Sequence, residues 1–331
     1  MEEFPMLIDR FGRIHNYLRI SITDNCNFRC SYCMPNGKVS CLANERLMQV
    51  DEIEEIAKVF VGLGVKKIRL TGGEPLVRNG VEDIIRRLSA LPVALTLTTN
   101  GARLRKFIGL FKESGIHSVN VSLDSLNPEV FNTITQRDTF QEVWKNIQLL
   151  IENNIRVKLN TVAIAGTIEK ELYDFIELTR ELPLHVRFIE FMPFAGNHWQ
   201  NGKVITARQM LDLAATRYDM VKLNDEPHAT AKKYKVIGHE GTIAFITTMS
   251  EHFCGECNRI RLTADGKIKN CIFGKDEIDI LGAYRKGESV ETLIRKSIAG
   301  KQAVMGGQFV NGYKKTDPKK IENRSMIQIG G

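Results

Sequence analysis

An incomplete (β/α) barrel of the α/β class, followed by a C-terminal extension, is what three features of the sequence predict. Short runs rich in β-branched residues alternate with stretches of helical periodicity, the rhythm of βαβ units around a parallel sheet. Six such units succeed one another from Tyr17 onward. Near residue 193 the rhythm breaks. The same elements would also build a doubly wound open sheet, the alternative arrangement.

The strands expected are Tyr17–Thr23, Lys67–Thr71, Val93–Thr98, Ser118–Leu123, Arg156–Ala163 and His185–Phe191. Between them the helices expected are Val50–Gly62, with Asp51 as N-cap, then Gly80–Leu91, Leu104–Ser114, Phe140–Asn153 and Glu169–Leu182. In Gly80–Leu91 the apolar Val81, Ile84, Ile85 and Leu88 recur at helical spacing. Beyond the break, Ala207–Tyr218 reads as a helix. Lys233–Ile237 and Thr242–Met249 read as an antiparallel pair turning through Gly238-His239-Glu240-Gly241. The expected division is a barrel at 1–193 and an extension at 194–331.

The 331 residues are 43% hydrophobic and 26% charged, which excludes a disordered or fibrous chain. No apolar run approaches the roughly 18 residues of a membrane span. The opening Met1-Glu2-Glu3-Phe4-Pro5 has neither a basic nor a long apolar region, so a cytoplasmic location is expected. The net charge of +7 suits anionic partners such as nucleic acid or phosphate compounds, or it is scattered over a solvated surface. Of seven cysteines, six form two groups of three, and Cys41 stands apart as a packed or free thiol. An odd count without a secretory start favours metal binding or catalysis over a disulfide framework.

The first group, Cys26-x3-Cys30-x2-Cys33, comes after the first strand. Three thiolates and no nearby His fit a closed four-ligand zinc site poorly. They fit an iron–sulfur cluster with one open iron. Thr71-Gly72-Gly73-Glu74-Pro75 comes after the second strand. Its glycines allow close backbone approach, and Pro75 favours an extended Glu74, giving an exposed edge with a carboxylate suited to an amino group. The two motifs, in this order, resemble the signature of the radical S-adenosylmethionine (SAM) enzymes. That resemblance implies a TIM-like partial barrel. It also implies a [4Fe–4S] cluster whose open iron chelates SAM, and a 5′-deoxyadenosyl radical that abstracts a substrate hydrogen.

The second group is Cys254-x2-Cys257-x13-Cys271. A zinc knuckle with His252 as fourth ligand is one reading, although His252 is cramped two residues before Cys254. A second cluster with an open iron is the other. Arg259 and Arg261 share one face of a strand and suit bidentate phosphate binding.

Cys257-Asn258-Arg259-Ile260-Arg261, Cys271-Ile272-Phe273-Gly274 and the closing Gly330-Gly331 extend the resemblance over nearly the whole chain, to the GTP 3′,8-cyclase family of molybdenum cofactor biosynthesis. The family implies two [4Fe–4S] clusters, SAM, and GTP as substrate. It also implies an electron donor such as flavodoxin or ferredoxin, and a downstream cyclic pyranopterin monophosphate synthase. The resemblance makes Cys26, Cys30, Cys33, Cys254, Cys257 and Cys271 the cluster ligands. It makes Tyr32, Gly73, Ser122 and Met192 the SAM contacts, and Arg19, Arg69, Thr98, Lys158, Arg259, Ile260 and Arg261 the GTP contacts. Gly330 and Gly331 would reach the active site beside Arg19, Arg259 or Arg261 and act with them in catalysis. No contact is carried over at Met326-Ile327, where the family often has Ser after the Met, and no chemistry is assigned to 275–322. No nucleic acid or membrane is expected, and the chain is expected as a homodimer at most. A radical SAM peptide maturase and a zinc-stabilised nucleic-acid-binding protein are the competing readings. The aromatic residues, 8% of the chain, do not interleave with the charges as nucleic-acid stacking would require.

Overall fold

Along the central strands apolar side chains alternate with polar ones, and the sheet takes its two faces from that alternation. A computed structural model describes residues 6–34, 41–309, 312–317 and 320–331. The Met1–Pro5 opening lies outside the described residues. The first half contains β1 (Tyr17–Ser21), α1 (Val50–Gly62), β2 (Lys67–Thr71), α2 (Val81–Ser89), β3 (Ala94–Thr99), α3 (Ile108–Glu113), β4 (Ser118–Ser122), α4 (Pro128–Thr135), α5 (Phe140–Glu152), β5 (Arg156–Ala163), α6 (Ile168–Glu181) and β6 (His185–Glu190). The second half contains α7 (Ala207–Ala215), β7 (Met220–Lys222), β8 (Ala231–Val236), β9 (Thr242–Ile246), β10 (Arg259–Leu262), β11 (Lys267–Lys269), β12 (Ile278–Asp279), α8 (Ile280–Arg285), α9 (Val290–Ala299) and α10 (Met326–Ile329).

The strands form one sheet in the order β12-β11-β10-β1-β2-β3-β4-β5-β6-β9-β8-β7. Strands β1 to β6 are parallel and lie in chain order. A doubly wound sheet reverses its order midway, so this winding is that of a barrel wall. The segment after 193 does not form a separate sheet. Its β10 pairs parallel with β1, its β9 pairs parallel with β6, and β8 lies antiparallel to β9.

Local chemistry explains where the helices begin. The N-cap of α1 is Gln49, not Asp51: Glu52 closes a capping box by accepting from Gln49 N at 2.7 Å. Asp51 sits in the first turn and meets Arg87 instead. Helix α4 was not expected from the sequence. Its start signals are Asn127, accepting from the N–H groups of Glu129 and Val130, and Pro128 in the first turn. Leu104–Phe107 is a 3₁₀ turn leading into the shorter α3.

The outward side chains Leu18, Ile20, Ile68, Leu70, Leu97, Val119, Val121, Leu159 and Phe188 are fully buried beneath the helices. A second apolar cluster, including Phe191, Trp199, Met249, Phe273, Met305 and Ile329, has Tyr32, Cys254, Cys271 and Met326 packed against it. Asn146 of α5 bridges to the loop after β3, donating to Gly101 O at 2.8 Å and Ala102 O at 3.2 Å. Asn146→Ala leaves both buried carbonyls without this donor and should lower stability by about 1–3 kcal/mol, read from urea denaturation.

Candidate active site

The strand ends of a (β/α) barrel gather reactive groups, and the first cysteine loop leaves from the end of β1. Backbone bonding folds it tightly, with Cys33 N donating to Cys30 O at 2.9 Å. Phe28 meets Phe131 of α4 edge-on at 5.8 Å. Arg29 donates to Cys26 O and Phe28 O, and Arg137 donates to Asn27 O at 2.8 Å. Cys26 Sγ accepts from Phe28 N at 3.4 Å and from Asn100 Nδ2 at 3.8 Å. Burial, with Glu74 nearby, pushes the Cys26 thiol up to about 11. Burial and neighbouring anions also raise Cys30 and Cys33 well above the usual thiol range.

Gly72 and Gly73 pack directly on this loop. A Cβ on Gly73 would stand 2.4 Å from Asn25 O, and one on Gly72 would stand 2.6 Å from Thr23 O. Glu74 is extended, as Pro75 requires. Its carboxylate is not the exposed one expected from the sequence. It is buried, accepting from Leu76 N at 3.0 Å, Thr99 Oγ1 at 2.7 Å and Asn100 N at 2.7 Å, and burial raises it to about 7. Its work is to tie the turn to the end of β3.

One cleft is lined by Cys26, Cys30 and Cys33 together with Tyr32, Gly73, Thr98, Ser122, Met192 and Gly331. Met326 and Ile327, from which nothing was carried over, line it too. Sequence reasoning missed Asp124 and Asn160, also in the wall. Asp124 accepts from Tyr32 Oη at 2.5 Å and from Val162 N at 2.8 Å, fixing the tyrosine. Asn160 and Asn120 each bury an amide oxygen without a partner.

Deeper in the barrel the inward face is cationic. Register places Arg261 beside Arg19 and Arg19 beside Arg69, with Tyr17 between Arg259 and Lys67. Arg69 donates to Tyr17 Oη, Leu97 O and Thr98 Oγ1. Lys158 of β5 and Arg187 of β6 continue the lining; Arg187 and Lys67 were not singled out in the sequence. Their signal is alternation, since Lys67 is two residues before Arg69 and Arg187 two after His185. Burial lowers Arg19 well below its ordinary value, with Arg261 adding repulsion. Burial likewise brings Arg261 to about 10 with Arg259, Arg187 to about 9 with Arg69, and Lys158 to about 8 with Arg187. Burial opposes ionisation of Tyr17, yet Arg69, Arg19 and Lys67 together bring its phenol down to about 7. Arg19 Nε and Arg187 Nε and Nη2 have no partner. Ile260 is different: its side chain is fully buried in the outer core, facing away from Arg259 and Arg261. Only its backbone remains available to a ligand.

The second cysteine group sits at the other end of β10, just before Arg259. Cys254 Sγ accepts from Met305 N and Cys257 Sγ from Lys301 Nζ, both at 3.3 Å. The stretch 275–322, assigned no chemistry from the sequence, therefore helps to hold these sulfurs. Burial raises Cys254. At Cys257 burial is outweighed by Arg259 and Lys301, which bring the thiol to about 6. Buried Lys269 donates to Gly274 O at 2.6 Å and secures the turn after Cys271. The tail enters the barrel interior, where Arg261 donates to Gly330 O at 2.6 Å and Arg19 donates to Gly331 O. Gly330 has φ +85°, and a Cβ there would lie 2.6 Å from Thr71 Oγ1, so glycine is required twice over.

Among the described residues, no three His, Cys, Asp or Glu side chains are close enough to hold a single metal ion. A zinc ion needs its ligands around one point. A cluster spreads its thiolates over separate iron atoms, and all-thiolate groups that receive N–H···S hydrogen bonds suit it.

Residues 20–179 match the Radical SAM superfamily and residues 184–306 match Molybdenum Cofactor Synthesis C. The chain is 44% identical over 333 residues to the mitochondrial GTP 3′,8-cyclase of Arabidopsis thaliana, covering 98% of this chain and 84% of that one. It is 39% identical to GTP 3′,8-cyclase of Desulforamulus reducens, covering 98% of this chain and 100% of the relative. Against molybdenum cofactor biosynthesis protein 1 of Mus musculus it is 45% identical but spans only 51% of that protein. The solved structure of Streptococcus suis SuiB bound to S-adenosylmethionine shares the fold, with TM-score 0.63 at 13% identity, covering 96% of this chain and 79% of that one. No helix among the described residues is long and apolar enough to cross a membrane.

His185, packed among these cations, bonds Thr242 Oγ1 through Nδ1 at 2.6 Å, and burial with Arg187 lowers it to about 3. The folded state keeps it neutral while the unfolded chain protonates near 6.5. Its contribution is therefore complete above pH 6.5 and is lost as pH falls from there toward 3. In urea titrations at several pH values, His185→Gln should flatten the loss of stability between pH 6.5 and 4.

Proposed function

This chain belongs to the GTP 3′,8-cyclase family within the radical SAM superfamily, and we propose that it converts GTP to (8S)-3′,8-cyclo-7,8-dihydroguanosine 5′-triphosphate, the first step of molybdenum cofactor biosynthesis. The superfamily works with SAM and an iron–sulfur cluster. Cys26, Cys30 and Cys33 would hold a cluster that, given one electron, would split SAM into methionine and a 5′-deoxyadenosyl radical able to take the ribose 3′ hydrogen before C3′ joins guanine C8. Tyr32, Gly73, Ser122 and Met192 line the cleft in which SAM would lie. Asp124 keeps Tyr32 in place by accepting a hydrogen bond from its hydroxyl. Cys254, Cys257 and Cys271 would hold a second [4Fe–4S] cluster beside the guanine.

The observation that carries this reading is the inward row of cations. Along the strand direction Arg259 and Arg261 come after Cys257, and their partners Tyr17 and Arg19 precede Cys26. The row thus lies between the two cysteine groups. A triphosphate there would receive charge-assisted bonds from Arg19, Arg69, Lys158, Arg187, Arg259 and Arg261, with Thr98 beside Arg69. Gly330 and Gly331 would act with Arg19 and Arg261 by closing the interior around the substrate. The proposal includes a cytoplasmic location, a small electron-transfer protein as donor, a downstream cyclic pyranopterin monophosphate synthase and a homodimer at most.

The direct test is anaerobic incubation of the reconstituted protein with SAM, a reductant and GTP, followed by product analysis. Iron-free, zinc-loaded protein would overturn the reading. Cys30→Ser should abolish SAM cleavage, whereas Cys257→Ser should retain some SAM cleavage and lose cyclisation. Lys158→Ala and Arg187→Ala should each weaken GTP binding by about 1.5–3 kcal/mol, read by calorimetry. Deletion of Gly330 and Gly331 should leave iron content intact and sharply lower product formation.

A further inference from the structure

We infer that Lys301 is a positioning residue for the second cysteine group: it fixes the Cys257 sulfur and offsets the negative charge that a thiolate-bound cluster brings there. This rests on the reading that Cys254, Cys257 and Cys271 hold a cluster.

Lys301 lies just beyond α9 and is 2% exposed, rare for a lysine unless it is paired. Its ammonium lies 3.3 Å from Cys257 Sγ and 3.1 Å from Arg259 O. The groups its ammonium meets are thus a sulfur and a backbone carbonyl, and Arg13 repels it. A buried cation whose opposite charge is supplied by sulfur is placed for a thiolate centre, since a lone buried charge costs several kcal/mol.

The position of the ammonium is imposed from outside the site. Lys301 N donates to Ile298 O at 3.1 Å. Arg13 grips the adjoining backbone, donating to Gln302 O and Ala303 O at 2.9 Å, and to Cys254 O at 2.8 Å. Arg13 is itself held by Asp9 Oδ2 at 2.6 Å, and the same oxygen lies 3.0 Å from His15 Nε2. The Asp9 carboxylate is thus committed to Arg13 and His15, leaving the Lys301 charge to the sulfurs. One guanidinium clamps the lysine's loop and the cysteine's loop together. Hydrogen bonds to cluster sulfurs and local charge are among the factors that set a cluster's potential. A cation at Cys257 favours the reduced, more negative state.

The test uses holoprotein reconstituted anaerobically, with iron and sulfide counted and each cluster titrated by EPR-monitored potentiometry. Lys301→Met should shift the second cluster's midpoint to more negative potential, leave the first cluster's unmoved, and lower iron retention against a chelator about 10–100-fold. Lys301→Arg should stay near wild type. Lys301→Gln keeps a donor without the charge, separates the two contributions, and serves as the uncharged variant should the Met protein not fold. A second cluster with full iron and an unmoved midpoint in the uncharged variant would overturn the role of Lys301. A wild-type protein holding iron for one cluster alone would overturn the two-cluster reading itself.

Discussion

Burying cations against one another is the constraint on which this molecule is built. Arg19, Arg69, Lys158, Arg187 and Arg261 share the barrel interior, and burial with mutual repulsion lowers the affinity of several for their protons. Hydrogen bonds to Tyr17, Thr98 and backbone carbonyls satisfy some donors; others stay unpartnered. Such an interior weighs against folding, and the apolar outer face of the same strands offsets the cost. The alternation that creates the site also supplies the core that tolerates it.

The two cysteine groups occupy opposite electrostatic settings. Near the first, burial, Asp124 and Glu74 all disfavour thiolate. Near the second, Arg259 and Lys301 favour thiolate at Cys257. One polypeptide therefore places two groups of three cysteines in surroundings of opposite charge. One apolar cluster, with Phe191, Trp199 and Phe273 in it, has Tyr32, Cys254 and Cys271 packed against it.

The sequence made the parallel strands legible because each is short and bounded by turns, and β2, β5 and α1 fall within the expected limits. The cysteine loops and their neighbours were legible because sulfur at such density has few other uses. What stayed hidden depends on register. Arg187 and Lys67 look like ordinary strand polarity until β5, β6 and β2 are set side by side. Ile260 sits in a motif yet points outward, a matter of strand phase that the motif does not encode. Lys301 and Arg13 are distant in sequence and meet the second cysteine group only through tertiary folding.

The flanking strands have a meaning beyond geometry. Strand β10 covers the free edge of β1, and β9 covers that of β6. A chain halted on the ribosome near residue 193 would thus present two bare parallel edges, each an invitation to foreign strands. The pairing of Tyr17 with Arg259 joins segments made far apart in time, and contacts of such long range form slowly. The nascent protein passes through an interval in which aggregation competes with completion, and chaperone protection of the first half would matter more than for a barrel that closes on itself.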